Sequence, residues 1–477
     1  MQLKKYLLPF VTSLFCTILV WQSMVTSVIQ GIPFSDASIF EYFGYAMTRG
    51  DMMYLNMFDH KGPFVFLINY LGYSLGGAFG IKMLYLLCTF LFFYLTYLIA
   101  KLFTGEKQSV LVTVISFFIY QRFFDGGWSL EGFIVPCISY SLLVFLKFFL
   151  DKKINKWEMI VSGVMFAIVF FTKANMVGLW VIFCFYALVY CLYLKKYKEL
   201  ITLVTNFLIG VLVVTIPLII YLYVNGALYD MFYQSILVNL IYTGESSSGS
   251  KRAILKWYIE QTNLLQINIA VVISMFFSWR EYKVKSVFYH VAFAFCVLLA
   301  LISKRSYGHY IVVVIPLMIP YLAYFFKVIS EKMSFKVFML AALSLFLIFQ
   351  SDINTFKESR SKRYRNSSWK QQLVAEYIKE NTNESDRIYT HRQNGTIYLY
   401  SERLSSTKFF FIPSLTDESP LMPDFEKAMR ENMPKYIVFD TEWDYHRLTD
   451  DYIKKLVKED YILEKQFDTV SVYKYNK

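Results

Sequence analysis

The chain has 477 residues, of which 56% are hydrophobic and 18% charged, and its 48 Lys and Arg against 36 Asp and Glu give a formal net charge of +12. This composition and a mean hydropathy of +0.41 exclude an ordinary soluble domain. The basic balance does not indicate nucleic-acid binding, because Lys and Arg fall in short clusters between apolar runs, as in membrane proteins. We therefore expect a polytopic α-helical membrane protein with no nucleic-acid partner.

Apolar runs long enough to cross a bilayer of roughly 30 Å recur from Tyr6 to about Phe349. The first run has no small-residue cleavage site after it, which predicts a retained helix rather than a cleaved signal. Together the runs predict about eleven transmembrane helices, near 7–28, 81–103, 108–124, 132–150, 157–172, 176–194, 200–224, 263–279, 286–303, 309–326 and 335–350.

The positions of Lys and Arg predict the orientation of these helices. If the N-terminus is cytoplasmic, six basic clusters between the runs all lie inside, in agreement with the positive-inside rule. The apolar, Gly-rich segment 64–80 would reverse every later loop if it crossed the membrane. We therefore interpret it as an interfacial helix on the outer face.

The character of the chain changes after Ser351. Residues 369–381 have a helical period, and 387–391, 396–400, 409–412, 436–440 and 470–475 are typical of strands. This predicts a transmembrane domain at 1–351, with a first outer loop at 31–63, and an extracytoplasmic α/β domain at 352–477. All six cysteines lie in apolar runs, so we expect the outer domain to fold without disulfides.

The first outer loop carries the densest set of charges. Asp36 follows the first membrane helix, where a partly desolvated carboxylate could act as a general base toward a hydroxyl substrate. On spacing alone, an N-cap role for the Ser35-Asp36 pair is an equal alternative. Glu41 lies five residues later, roughly 140° around a helix from Asp36, and we interpret it mainly as structural.

A second cluster, Asp59-His60-Lys61, precedes the apolar segment 64–80. A cation beside a helix N-terminus at headgroup depth would suit a lipid phosphate. In the alternative interpretation, Lys61 only extends toward water and Asp59 is its ion-pair partner. The residues alone favour this alternative.

Charged groups also occur at three further helix ends that are predicted to lie outside. These are Arg122, Asp125 and Glu131; Lys173; and Lys304 and Arg305 with His309. Each group alone is more typical of an interfacial anchor than of a ligand site. Because all of them share a predicted side with Asp36 and Lys61, together they indicate one outward-facing polar cavity.

These residues resemble those of the C-type (GT-C) glycosyltransferase superfamily, particularly the bacterial protein O-mannosyltransferase and lipid A aminoarabinose transferase relatives. The resemblance rests on an Asp after the first helix, a Gly-Asp about fifteen residues later and a charged-Lys-Gly-Pro before an interfacial helix. It covers Ser35 to Gly72, Gly126 to Pro136, Thr172 to Trp180 and Arg305 to Pro316. The C-terminal domain resembles the outer domain of such enzymes in position and class only.

The resemblance implies a sugar donor linked to polyprenyl phosphate. Asp36 matches the catalytic aspartate that takes the acceptor proton, and Lys61 matches the lysine near the lipid phosphate. Arg305 is a looser second phosphate contact, and Glu131 falls where relatives carry a second acid. His309 and Glu41 are further candidates for substrate contacts.

The chain departs from the family at two motifs. Ala37 replaces the usual acid after Asp36, and Asp59-His60-Lys61-Gly-Pro replaces Glu-Lys-Pro, so either Asp59 or His60 could stand in for the glutamate. No nucleotide-binding glycine fingerprint appears on a predicted cytoplasmic loop, as expected for a lipid-linked donor, so we expect no nucleotide cofactor. The residues do not indicate whether a divalent metal takes part.

The function predicted from these residues is sugar transfer on the outer face of a bacterial plasma membrane, most simply that of a monoderm. The acceptor is a cell-wall or surface glycan, a lipid or a protein. The alternatives are a polymerase or ligase of lipid-linked glycans, a lipid or sugar transporter, and a non-catalytic glycolipid-binding relative. A transporter would place its binding groups near the bilayer midplane.

Overall fold

The computed structural model describes residues 2–24, 32, 36–123, 128–240, 264–301, 307–332, 369–391, 395–411, 421–440 and 448–476. The chain forms two compact units, and neither is continuous in sequence. The first unit comprises Met1–Met24, Leu84–Ile220 and Ser246–Lys362. The second comprises Val25–Met83, Tyr221–Glu245 and Arg363–Lys477, so it joins the first loop to the C-terminal domain.

Helices follow one another from the N-terminus to residue 332. They are α1 (Gln2–Ser23), α2 (Asp36–Thr48), α3 (Phe64–Lys101), α4 (Glu106–Phe123), α5 (Leu130–Phe149), α6 (Lys156–Phe170), α7 (Gly178–Tyr193), α8 (Tyr197–Val224), α9 (Leu228–Phe232), α10 (Leu264–Tyr282), α11 (Val284–Ala300) and α12 (Ile315–Lys332). Short 3-10 turns at Ala174–Met176 and Gly308–Val314 precede α7 and α12, and a π-helical segment, Tyr233–Leu237, follows α9.

Five segments within the described residues are long and apolar enough to cross a membrane: Tyr6–Ser23, Phe64–Lys101, Leu130–Phe149, Tyr197–Val224 and Gly308–Glu331. In α8, large apolar side chains such as Ile201 and Val213 remain exposed, as lipid-facing residues are. A multi-pass helical membrane protein is thus confirmed, whereas the number of about eleven spans stays a prediction. Its last span, 335–350, lies outside the described residues.

The helix α3 is interrupted between two helical parts. Gly77 adopts a left-handed φ of 60°, which only glycine adopts at low cost, and Gly76 is extended. The carbonyl oxygen of Gly72 then lies where a Cβ on Gly80 would stand, so the chain after the break folds back on the part before it. The apolar segment that starts at residue 64 is therefore a helix distinct from the one that continues to Lys101.

The C-terminal domain is a five-stranded sheet with helices. Its elements are α13 (Trp369–Glu380), β1 (Arg387–His391), α14 (Thr396–Ser401), β2 (Leu404–Ser405), α15 (Leu421–Glu431), β3 (Tyr436–Asp440), α16 (Leu448–Asp460), β4 (Tyr461–Phe467) and β5 (Val470–Tyr475). The strand order is β2-β1-β3-β5-β4. β1 pairs in parallel with β2 and β3, and β5 pairs antiparallel with β3 and β4.

The small α/β domain predicted from the sequence is present, with two corrections to its strands. Residues 396–400 form α14 rather than a strand, because the parallel strands β1 and β2 need a crossover between them. Residues 409–411 carry no strand either. The predicted boundary at 351 and 352 lies outside the described residues and stays a prediction.

Candidate functional site

The helix α2 begins at Asp36, which is exposed, whereas every residue from Ala37 to Met47 is buried. A carboxylate in the first helical turn is stabilised by the helix dipole. Asp36 is thus fixed by a buried helix but remains open to a substrate hydroxyl.

A buried aspartate holds the lysine of the second predicted cluster. Asp59 is fully buried, and both of its carboxylate oxygens lie 3.2 Å from the Lys61 ammonium. The backbone N–H of Lys61 also donates to Asp59 Oδ1 at 2.9 Å. His60 Nδ1 lies 3.7 Å from the same oxygen. Because the ammonium has three donors and the lysine stays partly exposed, it can take a further anion.

Lys61 approaches α2 at Phe40. The Lys61 ammonium stands 5.2 Å from the centre of the Phe40 ring. Phe40 is four residues after Asp36, so the two share a helix face one turn apart. The structure therefore brings Lys61, 25 positions later in the sequence, beside a residue of α2 that lies about one helical turn from Asp36.

Glu41, the residue after Phe40 in α2, is buried as well. It is 3% exposed, and its Oε2 atom has no hydrogen-bond partner among the described residues. Burial raises the pKa of Glu41 to about 7, and the charge of nearby Lys82 opposes part of that rise. The structural interpretation of Glu41 agrees with this position.

Two side chains that sequence reasoning missed support the Asp59 segment. Gln234 is fully buried, accepts from the backbone N–H of Asp59 at 3.3 Å and donates to the carbonyl of Tyr54 at 2.8 Å. The amide of Asn239 donates to the carbonyl of His60. Gln234 lies in the π-helical segment, a feature that often marks functional sites but leaves no sequence signal.

The C-terminal domain supports the first loop within the same unit. Arg387 at the start of β1 donates to both carboxylate oxygens of Asp51, at 2.7 and 3.3 Å. The backbone N–H of Ser405 donates to the hydroxyl of Tyr42 at 2.8 Å. These contacts fix α2 and the chain after it on the C-terminal sheet. Sequence reasoning missed them because partners more than 300 positions apart leave no local pattern.

A second cluster lies in the first unit. Glu131 in the first turn of α5 is 2% exposed and lies 2.7 Å from the Lys173 ammonium. That ammonium stands 3.6 Å from the centre of the Tyr310 ring. His309 interacts electrostatically with Glu131, and its ring packs parallel to Tyr307 at 5.5 Å. Three separate predicted helix ends therefore meet here.

The remaining predicted positions can be stated briefly. Arg305 and Asp125 lie outside the described residues. Within the part of the chain that the structure describes, no three His, Cys, Asp or Glu side chains are grouped closely enough to hold a metal ion. Whether a metal takes part stays open.

Solved structures share this architecture over nearly the whole chain. ArnT from Cupriavidus metallidurans, bound to undecaprenyl phosphate, is 12% identical with a TM-score of 0.67, and the match covers 97% of each chain. The apo state of ArnT matches 99% of this chain and 98% of its own, with a TM-score of 0.65. The oligosaccharyltransferase AglB from Archaeoglobus fulgidus, in complex with an inhibitory peptide and a dolichol-phosphate, is 11% identical with a TM-score of 0.53. That match covers 92% of this chain and 70% of AglB.

Sequence comparison adds one family. Residues 368–476 match Ccs4_C, a family named for the C-terminal domain of the competence-induced protein Ccs4. A comparison with curated protein sequences finds no match. The family match covers the C-terminal domain and not the helical part.

The chain has the fold of the GT-C membrane glycosyltransferases, and the resemblance predicted from its sequence is confirmed at that level. Among these structures, ArnT matches it from end to end, including the C-terminal domain. At 12% identity this likeness establishes the fold, while the activity has to be argued from the site.

Proposed function

We propose that this protein transfers a sugar from a polyprenyl-phosphate donor to an acceptor hydroxyl on the outer face of a bacterial membrane. The observation that carries the proposal is the Lys61 ammonium, which Asp59 holds beside Phe40 of α2, one helical turn from exposed Asp36. The related folds of ArnT bound to undecaprenyl phosphate and of AglB bound to a dolichol-phosphate support a lipid-linked donor.

The proposed step is a single displacement at the anomeric carbon. Asp36 takes the proton of the acceptor hydroxyl while its oxygen forms the new bond to that carbon. The bond between the carbon and the phosphate oxygen breaks, and its electron pair stays on the phosphate. Lys61 stabilises the charge that develops on this leaving group. Attack opposite to the leaving group inverts the anomeric configuration.

The Glu131 cluster holds two residues that the resemblance makes candidates for substrate contacts, Glu131 and His309. Its ion pair and the partly exposed rings of His309 and Tyr310 offer hydrogen-bonding groups beside flat apolar faces. Arg305 would be a second phosphate contact. A polymerase or ligase of lipid-linked glycans remains the second candidate, because it would use the same donor and the same fold.

Transfer of a radiolabelled sugar from its polyprenyl phosphate, measured with the purified protein in nanodiscs, tests the proposal. We expect Asp36→Asn and Lys61→Ala each to lower turnover by roughly 100-fold or more. Glu106→Gln is the matched control, because Glu106 is likewise an exposed acid in the first turn of a helix. Full activity of both site variants would remove the assignment.

A further inference from the structure

A polar groove in the second unit lies outside the proposed reaction site. One side is formed by α15, through Asp424, Lys427 and Glu431, and the other by the end of β2 and the chain after it, residues 405–408. Leu55 and Asn56 of the first loop close one end. We call this the α15 groove. Its volume of about 500 Å³ falls in the range of ligand-binding pockets.

The groove is longer than a pocket for one small molecule. A second cavity of about 560 Å³ continues from it and shares Arg387, Ser406 and Asn432 with it. Asp386, Lys435 and Lys474 line that continuation. An elongated surface of this kind suits an extended chain with repeated polar groups.

Two hydroxyl groups along the groove have no partner. Thr407 is 5% exposed, and neither its Oγ1 atom nor the Oγ atom of Ser406 has a hydrogen-bond partner within the described ranges. Both oxygen atoms are buried beneath the groove surface, so the groups that a ligand would meet are the charged and amide side chains of the lining. Lys408 and Asp424 line the groove as well and form no ion pair with any described residue.

The lining favours a saccharide over a peptide. Peptides add to long exposed strand edges or fill apolar pockets, but the strand beside the groove, β2, has only two residues and the lining is mostly polar. Hydroxyl, amide, carboxylate and ammonium groups side by side match the alternating donors and acceptors of a sugar chain.

The groove also leads toward the proposed reaction site. The backbone N–H of Phe58 donates to the carbonyl of Lys408 at 2.7 Å, and Asp59 follows directly in the chain. We propose that the α15 groove binds a hydroxyl-rich glycan chain as the acceptor. This inference rests on the proposed function, because the glycan is identified as the acceptor only if sugar is transferred.

Binding of full-length protein in nanodiscs to immobilised bacterial surface glycans, neutral and anionic, tests the inference, with a panel of peptides alongside. We expect the protein to bind glycans, and Lys427→Ala and Asp424→Ala each to weaken binding roughly fivefold. Lys455→Ala is the matched control. The Lys455 side chain is 72% exposed and pairs with Glu459, four residues later. The Lys427 side chain is similarly 71% exposed and pairs with Glu431, but only Lys427 lines the groove.

The outcomes separate the two proposals. Glycan binding that both groove variants weaken and the control does not supports the inference. Absence of glycan binding, equal binding by both groove variants, or retention of peptides instead overturns it, even when sugar transfer is measured. Asp36→Asn is expected to bind glycan normally without transferring sugar. If it transfers sugar at the normal rate, the reaction assignment fails and the glycan-binding groove stands.

Discussion

Gly395 packs directly against the backbone of Ser38, and a Cβ at position 395 would overlap the Ser38 carbonyl oxygen. Gly395 itself has ordinary right-handed backbone angles, so its need for a small residue is steric and not conformational. Ser38 is in the first turns of α2, two residues after Asp36. The C-terminal domain therefore sets the position of the helix that carries the proposed base.

Gly395→Ala is expected to displace the start of α2 and to lower the turnover rate by roughly 10- to 100-fold, because misplacement by about 1 Å is enough for such losses. Binding of the polyprenyl-phosphate donor should change little. Steady-state transfer kinetics and donor binding check both expectations. Gly76→Ala is the control, since nothing lies near a Cβ there and its backbone is extended. Equal kinetics in the two variants would contradict the role of Gly395.

Asp59→Asn is expected to lower both thermal stability and turnover. The substitution leaves the Lys61 ammonium without its buried partner, which costs about 3 kcal/mol in such pairs. The double variant Asp59→Asn with Lys61→Met should recover most of the stability and none of the activity. Thermal unfolding in detergent and the transfer assay measure the two effects. Recovered activity in the double variant would argue against Lys61 as a phosphate contact.

Glu41 is expected to make stability fall as the pH rises. Its folded-state pKa of about 7 exceeds the ordinary value of 4.5, so between these values the folded chain binds a proton that the unfolded chain has released. The contribution of Glu41 to the free energy of unfolding is greatest below about pH 4.5 and is lost by about pH 7. This change is on the order of 3 kcal/mol. Unfolding of wild type and Glu41→Gln at pH 5 and pH 8 measures it. The free energy of unfolding of the variant, relative to that of the wild type, should be higher at pH 8 than at pH 5. The same difference at both pH values would contradict the prediction.

Lys173→Met is expected to destabilise the first unit, because it leaves Glu131 buried without its cation. Adding Glu131→Gln should restore much of the loss, by roughly 2 kcal/mol or more. Thermal unfolding of the two single variants and the double variant gives the coupling between the residues. Additive losses would show that the pair is not held as the structure shows it.

Much of the fold was predictable because apolar runs and helical period are local properties of a sequence. The helix at 369–380 and the strands at 387–391, 436–440 and 470–475 follow from such patterns. The strand predicted at 396–400 is wrong: the segment lies in a short helix that is almost fully buried, and periodicity alone does not distinguish a short buried helix from a strand.

The candidate site was likewise predictable only in part. Asp36 and Lys61 could be selected from the first loop because charges beside apolar helices are conspicuous. Their closeness to Phe40, and the support from Gln234 and Arg387, depend on tertiary contacts across long stretches of sequence. No local pattern encodes those contacts.

The hydrogen bond between Gln234 and the backbone of Asp59 constrains the number of membrane crossings between these two residues. Two contacting residues outside the bilayer lie on the same side of the membrane. The polypeptide between them therefore crosses the membrane an even number of times. The six spans predicted from 81–103 to 200–224 satisfy this parity, and a traverse by residues 64–80 would break it. The contact of Asp51 with Arg387 extends the same rule: nine predicted spans, from 81–103 to 309–326, lie between these residues, so the rule predicts one further crossing, in agreement with the span predicted at 335–350.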